Sequence, residues 1–141
     1  MKALIDTCVI VDALQNREPF SKDAQKIFYA VANKEVGGFI TAKSVTDIYY
    51  LTHRATHSDA DTRKILKTLL GLFDLLDTTS LDCRKALSSD VTDYEDAVMS
   101  ETALRCEMDF IVTRNIKDYK MSEVTVCSPD TFLKMIEIGN E

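Results

Sequence analysis

Short apolar runs and longer helical stripes alternate along the chain, and this alternation predicts strands and helices in turn. Residues 2–5 form the first apolar run, and the apolar residues that follow Asp6 recur at helical spacing. The same two patterns return several times before the C-terminus. Because strands that alternate with helices build a parallel sheet with helices on both faces, we expect an α/β fold with a mostly parallel sheet. The predicted strands are 2–5, 38–41, 73–76, 110–113 and 124–127.

Three segments contain a hydroxyl residue followed three positions later by an acid, which is the pattern of a capping box. Such a pair satisfies free backbone N–H groups at a helix N-terminus and predicts where the helix begins. The corresponding helices cover about 44–54, 58–70 and 92–104, and four others are predicted at about 7–14, 19–32, 80–87 and 129–138. The three pairs are Ser44 with Asp47, Ser58 with Asp61, and Thr92 with Glu95.

The composition fits one folded domain that covers residues 1–141. Apolar residues make up 45% of the chain, enough to bury a core, and only 4 glycines and 2 prolines interrupt the pattern. The four cysteines have no CxxC spacing, so they favour neither a zinc site nor a disulfide framework. The apolar run near the N-terminus is too short to cross a membrane, and we therefore expect a cytoplasmic protein without membrane contact.

The net charge of -6 argues at first against a nucleic-acid partner, because a phosphate backbone normally binds a basic surface. The argument changes if several carboxylates converge on one site. Divalent cations bound there would neutralise the carboxylates and reverse the local potential. The charge balance therefore leaves both possibilities open.

Five polar side chains fall where ligands bind in open α/β sheets, beyond the carboxyl ends of the strands. Asp6 ends the first strand, and Asn115 and Asp118 follow the strand at 110–113. Asp47 and Asp96 lie in the predicted first turns of two helices. Together these residues offer the hard oxygen ligands that Mg²⁺ prefers, and a metal-bound water attacks a phosphodiester without a nucleophilic serine or cysteine.

Ordinary structural roles explain some of these acids better than others. Asp47 fits a capping box, and an acid in a first helical turn is favoured by the helix dipole whatever its function. Asp6 has no such explanation, because an unpaired carboxylate at the end of a central strand costs several kcal/mol. Asp96 is intermediate, since Thr92 and Glu95 already complete the predicted cap.

The remaining polar candidates have simpler explanations. Asp12 on the first predicted helix is expected to face solvent, and Asp93 to be a solvated loop charge. His53 and His57 are four positions apart, a spacing that can hold a metal on one helix face. Because Ser58 begins a new helix, we interpret both histidines as surface residues at a helix end.

Four blocks of the sequence resemble the PIN domain family, and together they span nearly the whole chain. That order and spacing is more specific than any single block. The resemblance implies a three-layer α/β/α fold with a parallel five-stranded sheet and a ribonuclease site that uses Mg²⁺ or Mn²⁺. The blocks are LIDTCVIVDAL, SVTDIYYL, DYEDAVMSETAL and FIVTRNIKDY.

The resemblance also assigns roles to single residues. Asp6 corresponds to the first aspartate of the family, and Thr7 beside it to the usual small hydroxyl residue. Asp47 takes the second acidic position, which is more often glutamate, and Asp96 takes the third. These positions imply that Asp6, Asp47 and Asp96 are metal ligands.

The fourth acidic position departs from the expected pattern. Asn115 stands directly after the Thr-Arg dipeptide, where the resemblance places an acid, and Asp118 is the nearest replacement as a metal ligand. An asparagine carbonyl still ligates a metal, but it lacks the charge that favours a second ion. The resemblance further implies that Thr113 hydrogen-bonds the ligands and that Arg114 contacts substrate phosphate, although an exposed cation explains Arg114 equally well.

Small PIN proteins resemble the toxin half of VapC-type toxin-antitoxin pairs, which implies an RNA substrate, a homodimer and a possible antitoxin protein. The helix stripe Tyr49, Tyr50 and Leu51 offers contacts for such partners, although stripes of this kind usually belong to a core. The alternative function is a PIN-like scaffold that binds RNA or protein and cuts weakly because of Asn115. A dehalogenase-like phosphatase fits poorly, since Cys8 stands where that chemistry needs a second aspartate.

Overall fold

The computed structural model describes residues 1–140 and contains strands and helices in alternation. Every predicted strand and helix is present, and a short 3-10 helix at Ile116–Tyr119 is an addition that the apolar pattern did not predict. Among these residues no helix is both long and apolar enough to cross a membrane. In chain order the elements are β1 (Lys2–Ile5), α1 (Thr7–Leu14), α2 (Ser21–Ala32), β2 (Gly37–Thr41), α3 (Ala42–Thr56), α4 (Asp59–Leu72), β3 (Asp74–Leu76), α5 (Ser80–Ala86), α6 (Tyr94–Arg105), β4 (Phe110–Val112), β5 (Thr125–Cys127) and α7 (Pro129–Gly139).

The five strands form one sheet in the order β3-β2-β1-β4-β5, and all four neighbouring pairs are parallel. The prediction of a mostly parallel five-stranded sheet is therefore confirmed. From the central strand β1 the chain first builds outward to β2 and β3, then returns to add β4 and β5 on the other side. The strand order thus reverses between β1 and β4, where ligands bind in folds of this class.

Alternate residues of β1 point into two different cores, which accounts for a layer of helices on each face of the sheet. Ala3 and Ile5 pack with the helices α1, α2, α3, α4 and α7. Leu4 packs on the opposite face with Met99 and Ala103 of α6. The structure is therefore a three-layer α/β/α arrangement, as the resemblance implied.

An ion pair between a buried carboxylate and a more exposed arginine links α5 to α6. Asp82 is 1% exposed, and it accepts hydrogen bonds from Arg105 (Nε to Oδ1, 3.0 Å) and from the hydroxyl of Thr102 (2.8 Å). Burial alone would raise the pKa of the Asp82 carboxyl, but the hydrogen bonds outweigh it and lower the pKa to about 2. Because α6 carries Asp96, this network also fixes a candidate site residue.

Two helix starts differ from the sequence prediction. Thr41, and not Ser44, caps α3, so Asp47 lies in the second helical turn and belongs to no capping box. Asp93, and not Thr92, caps α6 by accepting a hydrogen bond from the backbone N–H of Asp96. In each case another side chain close in sequence accepts the hydrogen bond from the free backbone N–H group. A spacing rule does not distinguish between neighbouring residues that can both act as caps. The predicted cap at Ser58 is confirmed.

Gly38 in β2 lies where the sheet and helices pack too closely for a side chain. A Cβ atom at this position would stand 2.6 Å from a methyl group of Val31 and 2.9 Å from the ring of Phe73. Both neighbours belong to the larger core. Gly71 in α4 has open space around its Cα instead.

We expect Gly38→Ala to lower the free energy of unfolding by about 1–3 kcal/mol, because the added methyl group overpacks the core. Gly71→Ala is the matched control, and it should raise stability by up to about 1 kcal/mol through helix propensity. Urea denaturation of both variants measures the two effects. Equal stabilities of the two variants would contradict this account of the packing.

Candidate functional site

Asp6 and Thr113 meet at the point where the strand order reverses. Asp6 follows β1 and caps α1, and Thr113 follows β4, the neighbouring strand. The Asp6 backbone N–H donates to the carbonyl of Val112 (3.0 Å), which brings the two strand ends together. The Thr113 hydroxyl donates to Oδ2 of Asp6 (2.7 Å) and accepts from the backbone N–H of Asn115 (3.0 Å).

Asp6 is only 8% exposed, and its carboxylate accepts hydrogen bonds from three donors: the Thr113 hydroxyl, the backbone N–H of Thr7 and, at a longer distance, the Cys8 thiol. Oδ1 of Asp6 accepts a hydrogen bond from the backbone N–H of Thr7 (2.8 Å). Residues 1–140 show no other hydrogen bond between Thr7 and Asp6. Burial raises the pKa of Asp6 in spite of the hydrogen bonds from Thr113 and Thr7. The thiol of Cys8 lies 3.7 Å from Oδ2, and burial together with the Asp6 charge raises its pKa.

Asp96 stands in the first turn of α6 and forms a second carboxylate of the same site. Burial raises the pKa of its carboxyl to about 6. The negative charges of Asp6, Asp93 and Asp118 add to this increase. These charges oppose ionisation of the Asp96 carboxyl, and such repulsion favours a bound cation or proton.

The hydroxyl of Tyr119 is buried beside these carboxylates without a hydrogen bond of normal geometry in residues 1–140. Burial and the charges of Asp6 and Asp96 raise its pKa, so the phenol stays protonated. Its polar contact with Asp96 in turn lowers the pKa of that carboxyl. The site thus contains a buried hydroxyl, that of Tyr119, without a hydrogen bond of normal geometry to any side chain in residues 1–140.

Asp47 differs from Asp6 and Asp96 because it is paired with a lysine. The ammonium of Lys43, one turn earlier on α3, is 3.2 Å from Oδ2 of Asp47 and also hydrogen-bonds Glu95 of α6. Burial lowers the pKa of Lys43, but the two carboxylates more than compensate and raise it. The predicted ligand Asp47 is therefore paired with a cation, whereas Asp6 and Asp96 form no ion pair with any residue in the described range 1–140.

Asn115 and Asp118 lie on the exposed segment that follows β4. Asn115 precedes the 3-10 helix, and its carbonyl accepts a hydrogen bond from the backbone N–H of Asp118 (3.0 Å). This turn leads to Tyr119, which anchors the segment in the core below α6. The negative charge of Asp118 contributes to the raised pKa of Asp96.

The expectation that Asp12 faces solvent is wrong. Asp12 is 1% exposed, and its two oxygens accept hydrogen bonds from Nε (2.6 Å) and Nη2 (3.2 Å) of Arg114. The guanidinium also lies over the ring of Phe20, 4.0 Å from its centre. A helical pattern cannot distinguish an exposed acid from one that meets an arginine a hundred residues later. Contact of Arg114 with substrate phosphate remains a prediction.

A family model for the PIN domain matches residues 2–117. The chain belongs to the PIN domain family. PIN domains are typically metal-dependent nucleases, and Asp6 of this one follows β1 at the point where the strand order reverses. No protein in the curated set matches the sequence.

Solved structures share the fold at low sequence identity. A chain of VapBC2 from Rickettsia felis, solved with a DNA fragment from their promoter, is 15% identical with a TM-score of 0.65, over 91% of this chain and 98% of that one. A chain of FitAcB from Neisseria gonorrhoeae is 18% identical with a TM-score of 0.66, and the match covers 90% of this chain and 97% of that one. VapC20 from Mycobacterium tuberculosis, a sarcin-ricin loop cleaving toxin, is 12% identical with a TM-score of 0.64, and the match covers 87% of this chain and 98% of that one. This PIN domain thus has the fold of toxins from toxin-antitoxin complexes.

The residues fit one divalent cation with few protein ligands. Within residues 1–140 no group of three or more histidine, cysteine, aspartate or glutamate side chains is arranged to hold a metal ion. Magnesium commonly binds through one or two carboxylates with water in its other positions. Asp6 and Asp96 would supply that pair, and the buried hydroxyl of Tyr119 has no hydrogen-bond partner of normal geometry in residues 1–140. The donor chemistry therefore suits Mg²⁺ or Mn²⁺.

Sequence patterns missed three residues that shape this site: Lys43, Glu95 and Tyr119. Lys43 stands four positions before Asp47, a helical spacing that brings two side chains together and was a usable signal. The spacing from Thr92 predicts a capping role for Glu95, and nothing in the local sequence indicates its contact with another helix. Tyr119 ends the 3-10 helix, which has no strong pattern of its own.

Asp96→Asn is expected to raise the free energy of unfolding of the metal-free PIN domain by about 1 kcal/mol at pH 7.5. A shift of one pKa unit corresponds to ~1.4 kcal/mol, and the expected value is smaller than the full shift implies because solvent screens this partly exposed carboxyl. Because the pKa of Asp96 is raised to about 6, its ionised form destabilises the folded protein above that pH. The stabilisation by Asp96→Asn should therefore decrease as the pH falls through about 6. Urea denaturation with a chelator at pH 7.5 and pH 5 measures it. The control Asp61→Asn changes an exposed acid at the same helical position of α4, where a small loss is expected. Equal losses for both variants would contradict this prediction.

Arg114→Met should lower the free energy of unfolding by about 3 kcal/mol, because it leaves the Asp12 carboxylate buried and unpaired. The double variant Asp12→Leu with Arg114→Met should recover most of this loss, since no buried charge remains. Arg63→Met removes an exposed ion pair with Asp59 and should change stability by about 0.5 kcal/mol or less. Denaturant unfolding of all three checks these values, and a harmless Arg114→Met would rule out the structural role.

Proposed function

We propose that this PIN domain is a divalent-metal-dependent endoribonuclease that hydrolyses phosphodiester bonds in RNA. The observation that carries the proposal concerns two carboxylates: the charge of Asp6 contributes to the raised pKa of Asp96, and within residues 1–140 neither acid forms an ion pair with a lysine, arginine or histidine. A structural role would require a partner for these charges. A nuclease needs them unpaired until a metal ion binds.

Each nearby residue has a definite task in this proposal. Asp6 and Asp96 hold the ion, and Thr113 fixes the Asp6 carboxylate through its 2.7 Å hydrogen bond. Asp118 adds negative charge from the exposed segment, and Asn115 offers a neutral oxygen beside it. When bound, Mg²⁺ or Mn²⁺ supplies an activated water and stabilises charge on the phosphate. No serine or cysteine nucleophile is required.

Similarity in fold to chains from VapBC2 and FitAcB supports a second part of the proposal, that this protein is the toxin of a toxin-antitoxin pair. An antitoxin protein and a second copy of the chain are then its partners, and its RNA substrate places it in the cytoplasm. Tyr50 is 64% exposed on α3, next to Tyr49, and these rings offer contact area for such a partner.

The alternative function is a PIN scaffold that binds RNA or protein and cuts weakly. Two observations favour it. Asn115 is neutral where the family pattern places an acid, and Asp47 is neutralised by Lys43. A weaker metal site slows cleavage without removing the binding surface. Direct cleavage assays separate the two functions.

Purified protein should cut a mixed panel of single-stranded and hairpin RNAs in the presence of Mg²⁺ or Mn²⁺, and a chelator should stop the reaction. Asp6→Asn and Asp96→Asn should each lower the rate by more than about 100-fold, and Thr113→Val by about 10- to 100-fold, as for residues that orient a metal ligand. Gel analysis of the fragments measures the rates.

Asp61→Asn is the control variant and should cut like the unaltered protein, because the residue lies on an exposed turn of α4. Cleavage that persists with chelator, or that both site variants retain, would refute the proposed mechanism. Absence of cleavage on every RNA and with either ion would favour the binding scaffold.

A further inference from the structure

Lys43 occupies a position in α3 that is electrostatically unfavourable for a cation. It is the second residue of the helix, where free backbone N–H groups and the helix dipole favour an anion, and that first turn contains no acid. The side chain is only partly exposed, at 33%. A lysine at such a place depends on negative groups around it.

Those groups are two carboxylates from different helices. The Lys43 ammonium lies 3.2 Å from Oδ2 of Asp47 on its own helix and donates a further hydrogen bond to Glu95 of α6. An ammonium is a compact cation with three donors, so it can serve both carboxylates at once. The cation therefore links α3 to α6 at the edge of the sheet that carries the site.

The other part of the site has the opposite balance. Within residues 1–140 no lysine, arginine or histidine forms an ion pair with Asp6 or Asp96. Asp118 adds a further negative charge nearby. The acidic site is thus divided into a side that already contains a cation and a side that lacks one.

We propose that the Lys43 ammonium takes the place of a second metal ion at the Asp47 and Glu95 side of the site. The inference rests on the proposed function for the first ion, which Asp6 and Asp96 hold. An ammonium and a divalent ion compete for the same carboxylate oxygens, and the positive end of α3 adds to the repulsion of a second ion. The PIN domain therefore binds one divalent cation per chain, and the charge of Lys43 excludes another.

Titration with Mn²⁺ in an isothermal calorimeter tests this exclusion. We expect one ion per chain for the unaltered protein and two for Lys43→Met, because the uncharged side chain frees two carboxylates as ligands. Lys43→Arg keeps the charge and should stay at one ion. Lys26→Met makes the same change in net charge at an exposed position of α2 and should also stay at one ion.

A second substitution locates the additional ion. Lys43→Met combined with Glu95→Gln should return the count to one, since the new site loses half of its carboxylates. Glu95 is 60% exposed, so the combination should leave the fold intact, and circular dichroism with thermal melting verifies this for each variant.

Two ions bound by the unaltered protein, or one ion bound by Lys43→Met, would overturn the inference and leave the metal-dependent nuclease standing. No ion bound by any variant would overturn both the inference and the proposed function. The number of ions bound by the unaltered protein is measured without any substitution. This measurement therefore tests the inference even if one of the variants does not fold.

Discussion

The carboxylate of Asp6 is the constraint on which the rest of the site depends. It ends the central strand β1, lies almost wholly inside the protein, and receives hydrogen bonds from the backbone of Thr7 and the hydroxyl of Thr113. These bonds offset only part of the cost of burying the charge, since its pKa remains raised. A negative group kept in this condition makes the end of the sheet attractive to cations, and the neighbouring carboxylates increase that effect.

Much of the fold was accessible from sequence because its determinants are local. The alternation of apolar runs with helical stripes fixed the element order, and the end of the first strand at Asp6 identified the central position of a site. Element order alone does not give the helix starts, where Thr41 and Asp93 took the capping roles assigned to their neighbours. Capping depends on which side chain reaches an N–H group, and several residue types at adjacent positions do so.

The electrostatics of the site were far less accessible, because they arise between distant parts of the chain. Asp12 is paired with Arg114, 102 positions later, and no local pattern distinguishes it from an exposed acid. Glu95 and Asp47 meet only through Lys43. Sequence could therefore name candidate acids, but not which of them are paired with a cation elsewhere in the chain.

The contact between Asp6 and Thr113 spans 107 positions, and the pair Asp12–Arg114 spans almost as many. A chain emerging from the ribosome therefore exposes its first aspartate long before the partner that orients it has been made. Domains fold as units during synthesis, and this one cannot assemble its site until β4 has been added to β1. The two halves of the sequence therefore have to be present together before the end of the sheet that carries Asp6 and Thr113 is complete.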